Sequence, residues 1–505
     1  MQATFTAHAA FTIGTVDRRL FGSFVEHMGR CVHTGVFEPG HPRADEAGLR
    51  EDVLELTREM GVTLVRYPGG NFVSGYRWED GVGPVEDRPR RLDLAWRSVE
   101  SNAFGLHEFL GWARKAQVEP MMAVNLGTRG PQEAADLVEY ANHPGGTRLS
   151  DLRRAHGSPD PFGIRLWCLG NEMDGPWQLG AKTADEYGRL AAETAKVMRL
   201  VDPTIELVAC GSSMRSMATF GGWEATVLDH CFDQVDLLSL HAYYEEHDED
   251  LAGFLATSLD MDAFIDEVVA TVDHVAAKKR SRKRLKLSFD EWNVWFQRAF
   301  AGPEAQTWED EPRLIEDTYD VAAAVVVGTY LITLLRHADR VSVACQAQLA
   351  NVIAPIRTEP GGSAWRQTIF HPFAHAARFA RGEVLRLAVA SPTYAAEPYG
   401  DVPVLDAVAT HDPETGDVTV LAVNRGLTEP LELTGALHGL GPLELVEHLT
   451  LAADGDPRRT NTEEHPEAVL PRRVDGSRVV DGELRATLPP LSWNVLRLGP
   501  AGRAG

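Results

Sequence analysis

The sequence predicts an α/β protein: a (β/α)8 TIM barrel followed by a C-terminal antiparallel, jelly-roll-like β-sandwich. Three observations lead there. The chain has 505 residues, more than one ordinary core fills and enough for a large barrel with an appended module. From residue 18 to residue 382, short apolar runs alternate eight times with longer segments of helical periodicity. Beyond that, short alternating runs are separated by Gly, Pro and Asp turns, the pattern of an antiparallel sandwich.

The eight apolar runs are RRLFGSFVEH (18–27), VTLVRYPGG (62–70), EPMMAVNLG (119–127), IRLWCLGNE (164–172), IELVACGSS (205–213), VDLLSLHAYY (235–244), LKLSFDEWN (285–293) and RVSVACQAQL (340–349). Their continuous apolar character, without alternation, is what parallel strands covered on both faces require. Between the first two, Leu49, Val53, Leu56 and Met60 mark one helical face at steps of three and four. After the fourth, Thr183 and Glu186 stand in capping-box spacing. The helix they open carries a stripe of Tyr187, Leu190, Thr194, Val197 and Val201. The run VAAAVVVGTYLITLL (321–335) is too short to span a bilayer and reads as a buried helix. The basic cluster KKRSRKR (278–284) reads as the solvated end of a helix.

In the C-terminal part, DVTVLAVN (417–424), LELVEHLTL (443–451) and ELRATLPPLSWNVLRL (483–498) are the clearest strand-like runs. Residues 2–16 form a strand-like stretch ahead of the barrel that is expected to pair with the sandwich. The predicted division is 1–17 for that strand, 18–382 for the barrel and 383–505 for the sandwich.

A formal charge of −24, from 73 acidic and 49 basic residues, argues against nucleic acid or an anionic membrane as partner. It fits a neutral substrate. The five cysteines, Cys31, Cys168, Cys210, Cys231 and Cys345, are odd in number, widely spaced and without CxxC spacing. Three of them sit in apolar runs, where cysteine acts as a small hydrophobe. A reducing compartment is therefore expected. The N-terminus lacks the basic-then-apolar order of a signal peptide, so the expected location is the cytoplasm. No metal-ligand spacing and no glycine-rich phosphate loop in strand-then-helix context is present, so neither metal nor cofactor is expected.

Catalytic groups of a (β/α)8 barrel sit at the C-terminal ends of its strands. The fourth run ends in Asn171 and Glu172, and the seventh in Asp290, Glu291, Trp292 and Asn293. The sixth ends in His241, Ala242, Tyr243 and Tyr244, and the second contains Arg66, followed by a PGGN turn with Asn71. Two carboxylates from separate strands at one mouth are the minimum equipment for glycoside hydrolysis: one protonates the leaving oxygen, the other attacks the anomeric carbon or activates water. Mutual repulsion and burial would keep one protonated near neutral pH. Trp177, Trp292, Trp295 and, more remotely, Trp96 offer aromatic faces to a sugar ring. Asp290 is expected to point away from Glu291 and to be structural. His241, taken alone, reads as a satisfied core histidine.

RYPGGNFVSGYRWEDGVGP (66–84), NLGTRGP (125–131), GNEMDGPWQLG (170–180), SLHAYY (239–244), SFDEWNVW (288–295) and QLANVIAPI (348–356), in that order, resemble glycoside hydrolase family 51, the intracellular α-L-arabinofuranosidases. The resemblance spans residues 3–498. It implies Glu172 as general acid/base and Glu291 as nucleophile, with Arg66 and Tyr243 orienting the latter. It places sugar-hydroxyl contacts at Glu26, Asn71, Asn171, Tyr243 and Gln348, with Asn171 toward the 2-hydroxyl, and pocket walls at Trp96 and Trp295. It also implies a homo-hexamer and an arabinose-containing oligosaccharide as substrate. Ala181 departs from the family's frequent histidine after GPWQLG. Two other readings stay open: a barrel hydrolase acting on β-xylosyl or β-glucan linkages, and a non-catalytic carbohydrate-binding protein on a retired barrel.

Overall fold

The computed structural model describes residues 1–502. Its barrel strands are β1 (Gly22–Phe24), β2 (Leu64–Tyr67), β3 (Glu119–Val124), β4 (Leu166–Leu169), β5 (Glu206–Ala209), β6 (Leu237–Tyr244), β7 (Lys286–Val294) and β8 (Val341–Gln346). All neighbours are parallel and the sheet closes, β8 pairing with β1. Each strand falls within a predicted run, apart from one residue at the end of β7. β1 is shorter than its run because Arg18–Phe21 turn as a 3-10 helix capped by Asp17. That turn lets Arg19 bridge Glu119 and Glu206, at the starts of β3 and β5.

The barrel interior is packed. Leu64, Met121, Ala123, Leu166, Cys168, Val208, Leu237, Val343 and Cys345 form one buried cluster with Val73. The two cysteines fill it as small hydrophobes, and all five cysteines of the chain are buried and free. This plug is the floor on which the mouth is built.

Helix Glu51–Met60 buries Val53, Leu56 and Met60 as its periodicity predicts. Helix Ala184–Val201 has the predicted capping box, Thr183 accepting from Glu186 N. Its buried face differs, however. It runs through Tyr187, Gly188, Ala191, Thr194, Ala195 and Met198, while Leu190, Val197 and Val201 are only half-buried. Small residues let a helix approach its neighbours closely, so the contact face follows the alanines rather than the largest side chains. Helix Val321–Arg336 is buried from Val321 to Leu335. It packs against β7 on one side and the sandwich on the other. The close approach centres on Gly328, where a Cβ would lie 2.5 Å from Trp493 Cε3. Among the described residues no helix is long and apolar enough to cross a membrane. Helix Ser258–Lys278 ends at the basic cluster, as expected of a solvated terminus.

The sandwich consists of a five-stranded and a seven-stranded sheet meeting on Phe5, Leu433, Leu484, Val420 and Leu496. Residues 2–16 contribute two strands rather than one, Gln2–His8 to the smaller sheet and Thr12–Thr15 to the larger. Gln2–His8 runs parallel to Leu431–His438, an exception to the predicted antiparallel order. The run 483–498 is likewise divided. Pro489 and Pro490 lack the N–H a ladder needs, and Glu483–Leu488 and Ser492–Pro500 lie in opposite sheets.

Candidate active site

Glu172 lies just past the end of β4, where Gly170 and Asn171 turn the chain. Its backbone has φ +44°, a left-handed conformation that costs a non-glycine residue on the order of 1 kcal/mol or more. The surroundings hold it there. Trp177 Nε1 donates to Glu172 Oε2 (2.6 Å), and His241 Nδ1 donates to Oε1 (2.9 Å). Glu291 projects from β7 into the same space. Arg66 Nη1 donates to its Oε1 and Tyr243 OH to its Oε2, both at 2.8 Å. A carboxylate oxygen of Glu172, one of Glu291 and a ring nitrogen of His241 all lie within 4.8 Å of one another. Burial first, and the charge of Glu291 next, push the Glu172 carboxyl above the usual carboxylate range.

A second group faces them from β1, β2 and β8. Buried Glu26 accepts from Phe72 N (2.9 Å), Trp96 Nε1 (3.0 Å) and Gln348 Nε2 (3.1 Å). Burial pushes its carboxyl up to about 8, so it is protonated at neutral pH. Gly70 passes between the groups: a Cβ there would stand 3.1 Å from Glu291 Oε1, 3.4 Å from Asn171 Nδ2 and 3.5 Å from Glu26 Oε2. Asn71 follows, half-buried, at the start of a short helix. Asn171 Oδ1 accepts from Arg66 Nη2 (2.8 Å). Asn171 Nδ2, Gln348 Oε1 and Trp295 Nε1 are buried without a protein partner among the described residues. Such atoms are costly to leave unbonded, and a bound polyol would satisfy them. The Trp295 ring meets Tyr243 edge-on at 5.3 Å.

The comparisons with known proteins point one way. Residues 56–257 match the family model described as alpha-L-arabinofuranosidase 1 domain, and residues 290–492 the alpha-L-arabinofuranosidase C-terminal domain. The intracellular exo-α-(1→5)-L-arabinofuranosidase of Streptomyces lividans is 64% identical, over 98% of this chain and 75% of that one. The protein of the same description from Halalkalibacterium halodurans is 55% identical over 99% of both. The solved structure of AbfB, a family 51 α-L-arabinofuranosidase from Bifidobacterium longum, superposes with a TM-score of 0.94 at 48% identity, covering 98% of this chain and 99% of that one.

The chain belongs to glycoside hydrolase family 51, the α-L-arabinofuranosidases.

In this family 51 chain the mouth holds two groups that the sequence reading set aside. His241 is not a bystander of the core. Besides Glu172, its Nε2 donates to Asp290 Oδ1 (3.1 Å), and its Nδ1 stands 3.5 Å from Glu291 Oε2. Burial pulls its proton affinity down, but Glu291, Asp290 and Glu172 push it up to about 10. It is an imidazolium between carboxylates. Asp290 does not point away from this group either. The pairing of β7 with β8 shifts register between Phe289 and Trp292, and that of β6 with β7 shifts between Ser239 and His241. Ser288 pairs with the inward-facing Val343, so alternation already carries Asp290 inward, and the extra residue between Ser288 and Glu291 brings Glu291 to the same side. Burial opposes its charge, but Arg66 and His241 hold its carboxyl below the usual range.

Trp292, in turn, faces outward. It is buried and packs edge-on against Tyr330 of the helix Val321–Arg336 at 6.2 Å, away from the mouth. The half-exposed Trp177, by contrast, touches the reacting groups through Glu172. Exposed Ala181 lies on the same loop, its N–H bonded to Gln178 O. The sequence showed no metal-ligand spacing, yet the fold assembles two groups that could hold an ion: Glu172, His241 and Glu291, and His27, His33 and Glu100. In both, histidine–carboxylate hydrogen bonds occupy the ligand atoms.

Proposed function

We propose that this protein is a retaining, exo-acting α-L-arabinofuranosidase that releases terminal non-reducing arabinofuranosyl residues from arabino-oligosaccharides. One observation carries the stereochemical part: a carboxylate oxygen of Glu172 lies within 4.8 Å of one of Glu291. Retaining sites hold their carboxyl groups about 5–5.5 Å apart, whereas inverting sites leave about 6.5–9.5 Å for a water.

Glu172, protonated because burial and Glu291 raise its proton affinity, donates to the leaving glycosidic oxygen. Glu291, held by Arg66 and Tyr243, attacks the anomeric carbon. The covalent ester removes the charge of Glu291 and with it one cause of the raised affinity of Glu172. Glu172, now ionised, then takes a proton from the water that hydrolyses the ester. His241 stays charged throughout and limits repulsion between the carboxylates. Glu26, Asn71, Asn171, Tyr243 and Gln348 bind the furanose hydroxyls, and Trp96 and Trp295 wall the pocket. The linkage we assign is α-(1→5), the one named for the two relatives above. Nothing favours the β-xylosyl or β-glucan alternative, and both carboxylates of an active barrel are present. The assignment also includes a cytoplasmic location, assembly as a homo-hexamer, and no nucleic acid, membrane or cofactor partner.

Proton NMR of early product tests the mechanism. The released arabinose should carry the anomeric configuration of the substrate; first appearance of the opposite anomer would refute the assignment. Native mass measurement tests the hexamer.

A further inference from the structure

We propose that a groove over the C-terminal ends of β5, β6 and β7 binds the leaving-group portion of an oligosaccharide beyond its first sugar, making the enzyme selective for chain length. The proposal rests on the arabinofuranosidase reading and adds a second binding region to it.

Direction comes first. Of the five groups we assign to the cleaved sugar, Glu26, Asn71 and Gln348 follow β1, β2 and β8, and Asn171 and Tyr243 stand beside the catalytic pair. The proton donor Glu172 follows β4. The leaving oxygen lies against Glu172, so the leaving group departs on the β4 side of the mouth. There the structure has a groove of about 670 Å³, within the roughly 300–1,000 Å³ typical of ligand clefts. Tyr243, bonded to Glu291, lines it and makes it continuous with the site. Its far wall is the segment after β5, with Met214, Ser216 and Phe220, and its rim includes Tyr244 and Gln297.

The groove is fixed relative to the chemistry. Ser213, at the root of the wall, bonds to Asp174 through both N and Oγ, two residues beyond Glu172. Its surface also suits a neutral polyol. The Arg215 guanidinium is taken up by Glu267 on one side and Asp260 on the other, so no net cation is offered to an anion. Tyr244 OH is bonded to the same Asp260 (3.0 Å). Met214, Phe220 and the tyrosine rings offer apolar faces. The exposed side chains of Ser216 and Gln297 make no hydrogen bond to protein among the described residues. Apolar faces with a few convergent polar groups match the two sides of a sugar ring.

The test is a kcat/KM series on α-(1→5)-arabinobiose, triose and tetraose, with an aryl arabinofuranoside as the substrate that cannot reach the groove. For the wild-type enzyme we expect a rise of about tenfold from the disaccharide to the longer chains, equivalent to about 1.4 kcal/mol. Ser216→Trp, which fills the groove from an exposed position, should abolish the rise. Gln297→Ala should reduce it several-fold, and both should leave the aryl substrate unchanged. A flat wild-type series, or a rise that survives both substitutions, would overturn the groove while activity on the aryl substrate upheld the arabinofuranosidase reading. Failure of the wild type on the aryl substrate would remove that reading and the groove with it.

Discussion

The barrel mouth and the β-sandwich treat buried polar atoms in opposite ways. Where the sandwich meets the barrel, Arg425 is buried and fully engaged, bonded to Leu255 O, Pro403 O, Ser258 and Asp406. The sheets themselves meet on side chains such as Phe5, Val420 and Leu496, at most 1% exposed. At the mouth, Asn171 Nδ2, Gln348 Oε1 and Trp295 Nε1 are buried without a partner among the described residues, Glu172 sits at φ +44°, and His241 holds the carboxyl groups of Glu172, Asp290 and Glu291 together. A fold tolerates such costs only where surrounding structure over-determines them. Among the described residues the sandwich leaves one buried side-chain atom without a partner, Thr450 Oγ1, whereas the mouth gathers three around its carboxyl groups for a ligand to complete.

The comparison predicts where substitutions will be felt. The largest effect belongs to the carboxylates. Glu291→Gln should lower turnover by about 10⁴-fold or more on every substrate. Glu172→Ala should cost about 10²–10⁴-fold on oligosaccharides. It should still form the glycosyl-enzyme from an activated aryl arabinofuranoside, and azide should speed that variant alone. If azide instead rescues only a Glu291→Ala variant and the product is inverted, the two roles are exchanged.

His241→Gln comes next. Misplacing a catalytic group costs on the order of 10²-fold, and kcat should fall on that scale. The signature is in pH: the hydrogen bond from His241 lowers the proton affinity of Glu172, so its loss should move the basic limb of kcat/KM to higher pH. An unmoved limb would leave His241 only a packing role.

Gly328→Ala probes the other region. Its Cβ would meet Trp493 at 2.5 Å, and overpacking of this kind costs about 1–3 kcal/mol. The melting temperature should drop, with turnover per folded molecule on the aryl substrate unchanged. A parallel loss of kcat would show that the seam communicates with the mouth.

The smallest expected effect concerns Glu26. Burial in the folded chain pushes its carboxyl up to about 8 from the ordinary 4.5. Between those values the native state binds a proton that the unfolded chain does not, so this group lowers stability as pH rises through the window. Glu26→Gln removes that slope. The melting temperature of the variant relative to wild type should therefore climb from pH 5 to pH 8.5, and a constant difference would contradict the assigned protonation.

By itself the sequence determined the layers and the candidates. Eight apolar runs, the capping box at Thr183 and Glu186, and the buried run at 321–335 state their structure locally, because burial on one or both faces leaves a periodic trace. Strand-end placement likewise singled out Glu172 and Glu291, and the family resemblance gave Arg66 and Tyr243 their roles. Only the tertiary structure decided that the neighbours Asp290 and Glu291 both face the mouth, the station of His241 between carboxylates and the outward face of Trp292. It also decided the alanine face of helix Ala184–Val201 and the parallel pairing of Gln2–His8 with Leu431–His438. Each depends on register, bulges or close approach between segments distant in the chain. A bulge reverses which side chains face inward without altering their apolar or polar character, so the pattern that reveals a strand is silent about it.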